Sequence, residues 1–98
     1  MEGVLMSVVR VTTIIFDSKE NAESAVKSYA ETAPSDFPGA EQLLGIHAEG
    51  NTGIYVSLYA DNEAMEKASG TRSKALGTIP GIVSVDTKIG NVEINHTN

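Results

Sequence analysis

The chain contains no cysteine and no tryptophan. Without thiols it has no disulfide and no thiolate metal site, so packing and hydrogen bonds alone must hold the fold. Histidine is nearly absent, at His47 and His96 only. Two imidazoles give no convergent ligand set, and no metal is expected. Cations are scarce: seven Lys and Arg stand against thirteen Asp and Glu, for a formal net charge of −6. They are also scattered, with only Lys67, Arg72 and Lys74 near one another. Such a chain repels phosphate backbones, so nucleic acid is not an expected partner. No apolar run approaches the ~20 residues that span a bilayer, so no membrane is expected either. The glycines form neither a G-x-G-x-x-G pattern nor a P-loop, and no cofactor is expected. Met1–Met6 lacks a basic n-region and does not read as a signal peptide, which makes a cytoplasmic location the expectation. Met6 offers an alternative start, with residues 1–5 then an N-terminal extension.

The residues that are present suit one domain over 1–98, with 95–98 a tail. A 98-residue chain, 41% hydrophobic and 20% charged, has ordinary globular composition and can bury one modest core. Val4 to Phe16 is rich in Val, Ile and Thr and reads as a long strand. Val8, Ile14 and Phe16 share one face and Val9, Val11 and Ile15 the other, so both faces should be covered. Asp17 or Ser18 caps a helix whose stripe is Ala22, Ala25, Val26, Tyr29, Ala30 and Ala33, and Pro34 should end it. Ala40 to Glu49 reads as a second strand. A turn at Gly50-Asn-Thr-Gly53 leads into a third, Ile54 to Ala60. There Ile54, Val56 and Leu58 point one way, and Tyr55, Ser57 and Tyr59 the other. Asp61 or Asn62 caps a second helix with Met65, Ala68, Arg72, Ala75, Leu76 and Ile79 on one face. Gly70 lies within it, and Gly77 and Pro80-Gly81 end it. Ile82 to Lys88 is a fourth strand, and after a turn at Gly90-Asn91 a short fifth is expected at Val92 to Ile94.

The order is βαββαβ, the ferredoxin-like α+β arrangement with an antiparallel sheet. Its helices cover one sheet face. The other stays apolar here, and a second copy packed sheet on sheet is the simplest cover.

The run Tyr55-Val-Ser-Leu-Tyr59-Ala-Asp-Asn-Glu-Ala-Met-Glu-Lys67 resembles the third strand and second helix of antibiotic-biosynthesis-monooxygenase-like domains. Ile79-Pro-Gly-Ile82 fits the same pattern. The resemblance implies a dimeric α+β barrel. Enzymes of that family often place a histidine, or a tryptophan in haem-degrading members, about one turn into the second helix. The matching position here is near Ala68, with Ser69 beside it. Where a further histidine often follows, this chain reads Arg72-Ser-Lys74-Ala75. The usual catalytic positions are therefore empty of a ring, and haem degradation is disfavoured.

Four residues stand out as candidate ligand contacts. With an even-length turn, His47 would share a face with Ile54, Val56 and Leu58 and could line a pocket as acid, base or donor, or simply bond backbone. Tyr59, paired on its face with Tyr55, suits stacking on a planar ligand as well as plain packing. Arg72 on an apolar helix face would meet an anionic group, or snorkel. Ala68 should leave space where relatives carry a ring. A pocket is thus expected between the sheet and the second helix, near Arg72 and His47. The favoured function is a homodimeric, non-catalytic or small-ligand-binding domain for a small hydrophobic or planar organic molecule. The alternative is a cofactor-independent monooxygenase or isomerase on a planar substrate. An ACT-type amino-acid-binding module ranks third, because Phe16-Asp-Ser-Lys19 lacks the glycine usual at that turn.

Overall fold

The computed structural model describes residues 7–98, so the extension and the first residues of the expected strand lie outside the described residues. The β-branched run forms β1, Val8–Phe16, with strictly alternating burial. Helix α1, Lys19–Asp36, follows. Its cap is Ser18, whose hydroxyl accepts from the Asn21 N–H at 3.1 Å. Asp17 instead binds the Asn21 side chain at 2.7 Å. The helix runs past Pro34 rather than stopping before it. Proline there forfeits one bond in the final turn only. Ala33 is buried, and its carbonyl accepts from the Phe37 N–H at 2.8 Å, which closes the end.

Strands β2, Gln42–His47, and β3, Thr52–Tyr59, form a hairpin. Helices α2, Asn62–Lys67, and α3, Ser69–Thr78, come next, then β4, Ile82–Asn91. Asp61 caps α2 by accepting from the Ala64 N–H at 2.9 Å. The expected single second helix is thus two, broken at Ala68 and not at Gly70. At the break the Met65 carbonyl accepts the Ala68 N–H at 3.1 Å, a tighter turn than the α-helix, and also takes long bonds from the Arg10 guanidinium at 3.4 Å and the Ser69 hydroxyl at 3.5 Å. The expected turn at Gly90 and the fifth strand are replaced by one long β4, because β1 offers partners throughout: Val9 faces Gly90 and Val8 faces Asn91.

All pairings are antiparallel, in the order β2-β3-β1-β4. Both helical segments cover the same face. That face carries Val8, Arg10, Thr12, Ile14 and Phe16 of β1, and Tyr55, Ser57 and Tyr59 of β3. One core cluster joins Ile14, Phe16 and Tyr55 to Ala22 and Ala25 of α1, whose small side chains let the helix sit close. A second joins Val8, Tyr59 and Met65. The opposite face shows Leu44 and Ile46 exposed, beside half-buried Val9, Val11, Ile54 and Val56.

Candidate functional site

Antiparallel pairing sets the helix-facing side chains in rows. One row runs Gly45, Tyr55, Thr12, Thr87 across the four strands, and the next runs Leu43, Ser57, Arg10, Ile89. Between these rows and the helices lies a cavity of about 440 Å³. Its floor is Arg10, Thr12, Ile14, Tyr55, Ser57 and Tyr59. Its α1 wall is Asn21, Ser24, Ser28, Tyr29 and Thr32, and its α3 wall is Arg72, Ala75 and Leu76.

Glycines shape the aromatic part of this floor. A Cβ on Gly45 would lie 3.0 Å from the Tyr29 ring, so glycine lets that ring settle on the sheet. Tyr29 meets Tyr55 edge to face, with centroids 4.9 Å apart. Tyr55 in turn folds over Gly53, where a Cβ would be 2.9 Å from its hydroxyl. That hydroxyl is buried and has no hydrogen-bond partner. An orphan of this kind costs about 1–3 kcal/mol. Burial raises the Tyr55 pKa. Burial, with the nearby Tyr59 and Tyr55, pushes Tyr29 up to about 12. At neutral pH both are phenols, able to donate but not to act as bases.

Arginine marks the other part. Arg72 reaches from α3 to the sheet, donating from Nη2 to the Thr12 hydroxyl at 3.1 Å and the Thr87 hydroxyl at 2.8 Å. Arg10 is 5% exposed and lies 6.0 Å from the Tyr59 ring centre. It donates to the Met65 carbonyl and the Ser69 hydroxyl, each at a long 3.4 Å. The Arg72 pKa is lowered, first by burial and then by Arg10, with Tyr59 opposing.

Of the four candidates, the cavity takes Arg72 and Tyr59 into its wall and floor but not His47 or Ala68. The even-turn register for His47 is corrected. Ala48 bonds Thr52 across Glu49, Gly50 and Asn51, an odd loop made possible by Gly50 at φ +66°. His47 therefore pairs with Gly53 and shares a face with Tyr55, not with Ile54, Val56 and Leu58. Its Nε2–H donates to the Gly50 carbonyl at 2.9 Å, which ties it to the turn. Ala68 packs on the Val8, Tyr59, Met65 cluster at the helix break. Sequence reasoning passed over Arg10. The available signal was its parity: it shares the inward face of β1 with Val8, Ile14 and Phe16. Among the described residues no group of three or more metal-ligating side chains converges, and no helix is long and apolar enough to cross a membrane.

No protein-family model and no curated protein matches the chain. Solved structures do. A monooxygenase from the gene ActVA-Orf6 of Streptomyces coelicolor, in complex with the ligand Nanaomycin D, superposes with TM-score 0.76 at 15% identity, covering 95% of this chain and 93% of that one. A dimeric ferredoxin-like protein from an uncultured marine organism gives 0.72 at 16%, with 95% and 93% covered. SnoaB, a cofactor-independent oxygenase from Streptomyces nogalater, gives 0.68 at 16%, with 91% and 95% covered. Structures bearing the name antibiotic biosynthesis monooxygenase match as well. The chain thus has the ferredoxin-like α+β fold of the antibiotic-biosynthesis-monooxygenase-like proteins.

Proposed function

We propose that this protein is a homodimeric small-ligand-binding domain of the cytoplasm, whose cavity takes a planar organic molecule. The observation that carries the reading is the cavity itself: about 440 Å³ between sheet and helices, walled by tyrosine rings and aliphatic groups with a few placed polar ones. Half-buried Tyr29 supplies a ring for stacking, Tyr59, 1% exposed, backs the floor, and Arg72 is a polar contact. His47 and Ala68 serve the turn and the second core cluster. A related fold whose structure holds Nanaomycin D supports a ligand of this size class. The dimeric fold relative and the apolar helix-free face support the homodimer.

Cofactor-independent oxygenation or isomerisation is the second reading, favoured by the monooxygenases and the oxygenase of the same fold. The lining weighs against it. It holds no histidine, and its phenols Tyr29 and Tyr55 stay protonated.

Calorimetric titration with 2-naphthamide, a neutral planar probe, tests the reading. The wild type should bind it, and Ala75→Phe, which fills the cavity from α3, should not. No binding of 2-naphthamide or of its acid, 2-naphthoate, to the wild type, or equal binding of 2-naphthamide to both proteins, would overturn it. Oxygen uptake above the buffer rate with a dihydroxynaphthalene would favour the second reading instead.

A further inference from the structure

The placement of the cations deepens this proposal. The chain has two arginines and five lysines. All five lysines are exposed, at Lys19, Lys27, Lys67, Lys74 and Lys88. Both arginines line the same cavity, the one between sheet and helices. They come from different elements, Arg10 from near the start of β1 and Arg72 from α3, and they converge over the same stretch of floor. Arg72 is bonded to Thr12, which lies two residues from Arg10 on the same face, about 7 Å along the strand.

Their hydrogen bonding is incomplete. A guanidinium offers five N–H donors. The partners found for Arg72 are two hydroxyls, both on Nη2, and those found for Arg10 are a carbonyl and a hydroxyl at the long limit. Among the described residues neither guanidinium forms an ion pair with a carboxylate; the ion pairs present are Lys19–Glu23 and Lys88–Asp86, both at the surface. Two like charges held near each other, Arg10 buried and Arg72 half-buried, repel unless an opposite charge joins them. In a chain of net charge −6, ordinary surface electrostatics would not gather both arginines here. An arginine fork matches a carboxylate in plane and spacing, whereas lysine offers only a point charge.

We infer that the ligand of this cavity is an organic acid, its planar apolar body against Tyr29 and Leu76 and its carboxylate between Arg10 and Arg72. This rests on the proposed small-ligand function and adds the chemical class. Ser57, opposite Arg10 in its row, is placed beside the acid group and adds a hydroxyl donor. The arginines thus act as selectors: a neutral molecule of the same shape fits the walls but leaves both charges unpaired.

The test compares 2-naphthoate with 2-naphthamide, two probes of nearly the same shape that differ in charge. On the wild type, naphthoate should bind at least tenfold tighter, and its advantage should shrink as salt is raised. In Arg72→Gln the ratio of naphthoate to naphthamide affinity should fall severalfold. Because Arg72 also ties α3 to the sheet, the comparison on the unaltered protein stands by itself should that variant fail to fold. Equal or tighter binding of naphthamide to the wild type overturns the inference and leaves the ligand-binding reading intact. Binding of neither probe overturns both.

Discussion

Gly53 and Tyr55 show how one residue's missing atom sets another's position. Gly53 is buried opposite Ile14, and the space its side chain would take is filled by the Tyr55 hydroxyl and ring edge. Gly53→Ala should therefore cost roughly 1–3 kcal/mol by overpacking, seen as a lower denaturation midpoint. The same substitution in a Tyr55→Ala background should cost nothing or stabilise slightly, since alanine loses less backbone entropy than glycine. An equal cost in both backgrounds would mean that the tyrosine is not what the glycine accommodates. At this scale the sequence was only half legible. Tyr59 and Arg72 were identifiable because each breaks its surroundings, a ring repeated on one strand face and a cation within an apolar stripe. Arg10 breaks its strand in the same way. It went unnoticed because a cation near a strand end resembles any surface charge until the inward face is known.

Elements were more legible than residues. The β-branched run ending at Phe16, the alternation from Ile54 to Ala60 and the 3.6-residue stripe of α1 are local signals, and the structure has an element at each, Val8–Phe16, Thr52–Tyr59 and Lys19–Asp36. Departures came from pairings that local composition does not decide. β4 continues through Gly90 because β1 supplies partners as far as Val8. The second helix breaks at Ala68, where the Met65 carbonyl accepts both the Ala68 N–H and the guanidinium of Arg10, 55 residues upstream. The hairpin parity depended on whether Ala48 and Thr52 would pair, which no composition of the turn decides. That single residue of register decided which β3 residues His47 accompanies. A site built across three strands and two helices inherits every such uncertainty, which is why the fold was readable and the cavity lining was not.

Taken whole, the molecule has two unlike sheet faces. Under the helices lies the cavity. On the other face an apolar surface from β2, β3 and β1 gives way to polar Ser84, Asp86 and Lys88 on β4. Leu44, 50% exposed, sits on this face opposite Val56. If a second copy covers it, sedimentation at micromolar concentration should show a dimer, and Leu44→Glu should give a folded monomer by burying an unpaired charge at the contact. A monomeric wild type, or a dimer unaffected by the substitution, would contradict that assembly.

The helix-free face also holds a small hollow of about 150 Å³ between Val9, Leu44, Leu58 and Ile94. An apolar probe therefore has two places to go, and affinity alone does not tell them apart. Amide chemical-shift mapping during a 2-naphthamide titration tests the central claim most directly. The account predicts shifts concentrated at Thr12, Ser28, Ser57 and Ala75, around the cavity. Shifts confined to Leu44, Val56 and Ile94, or none at saturating probe, would contradict it.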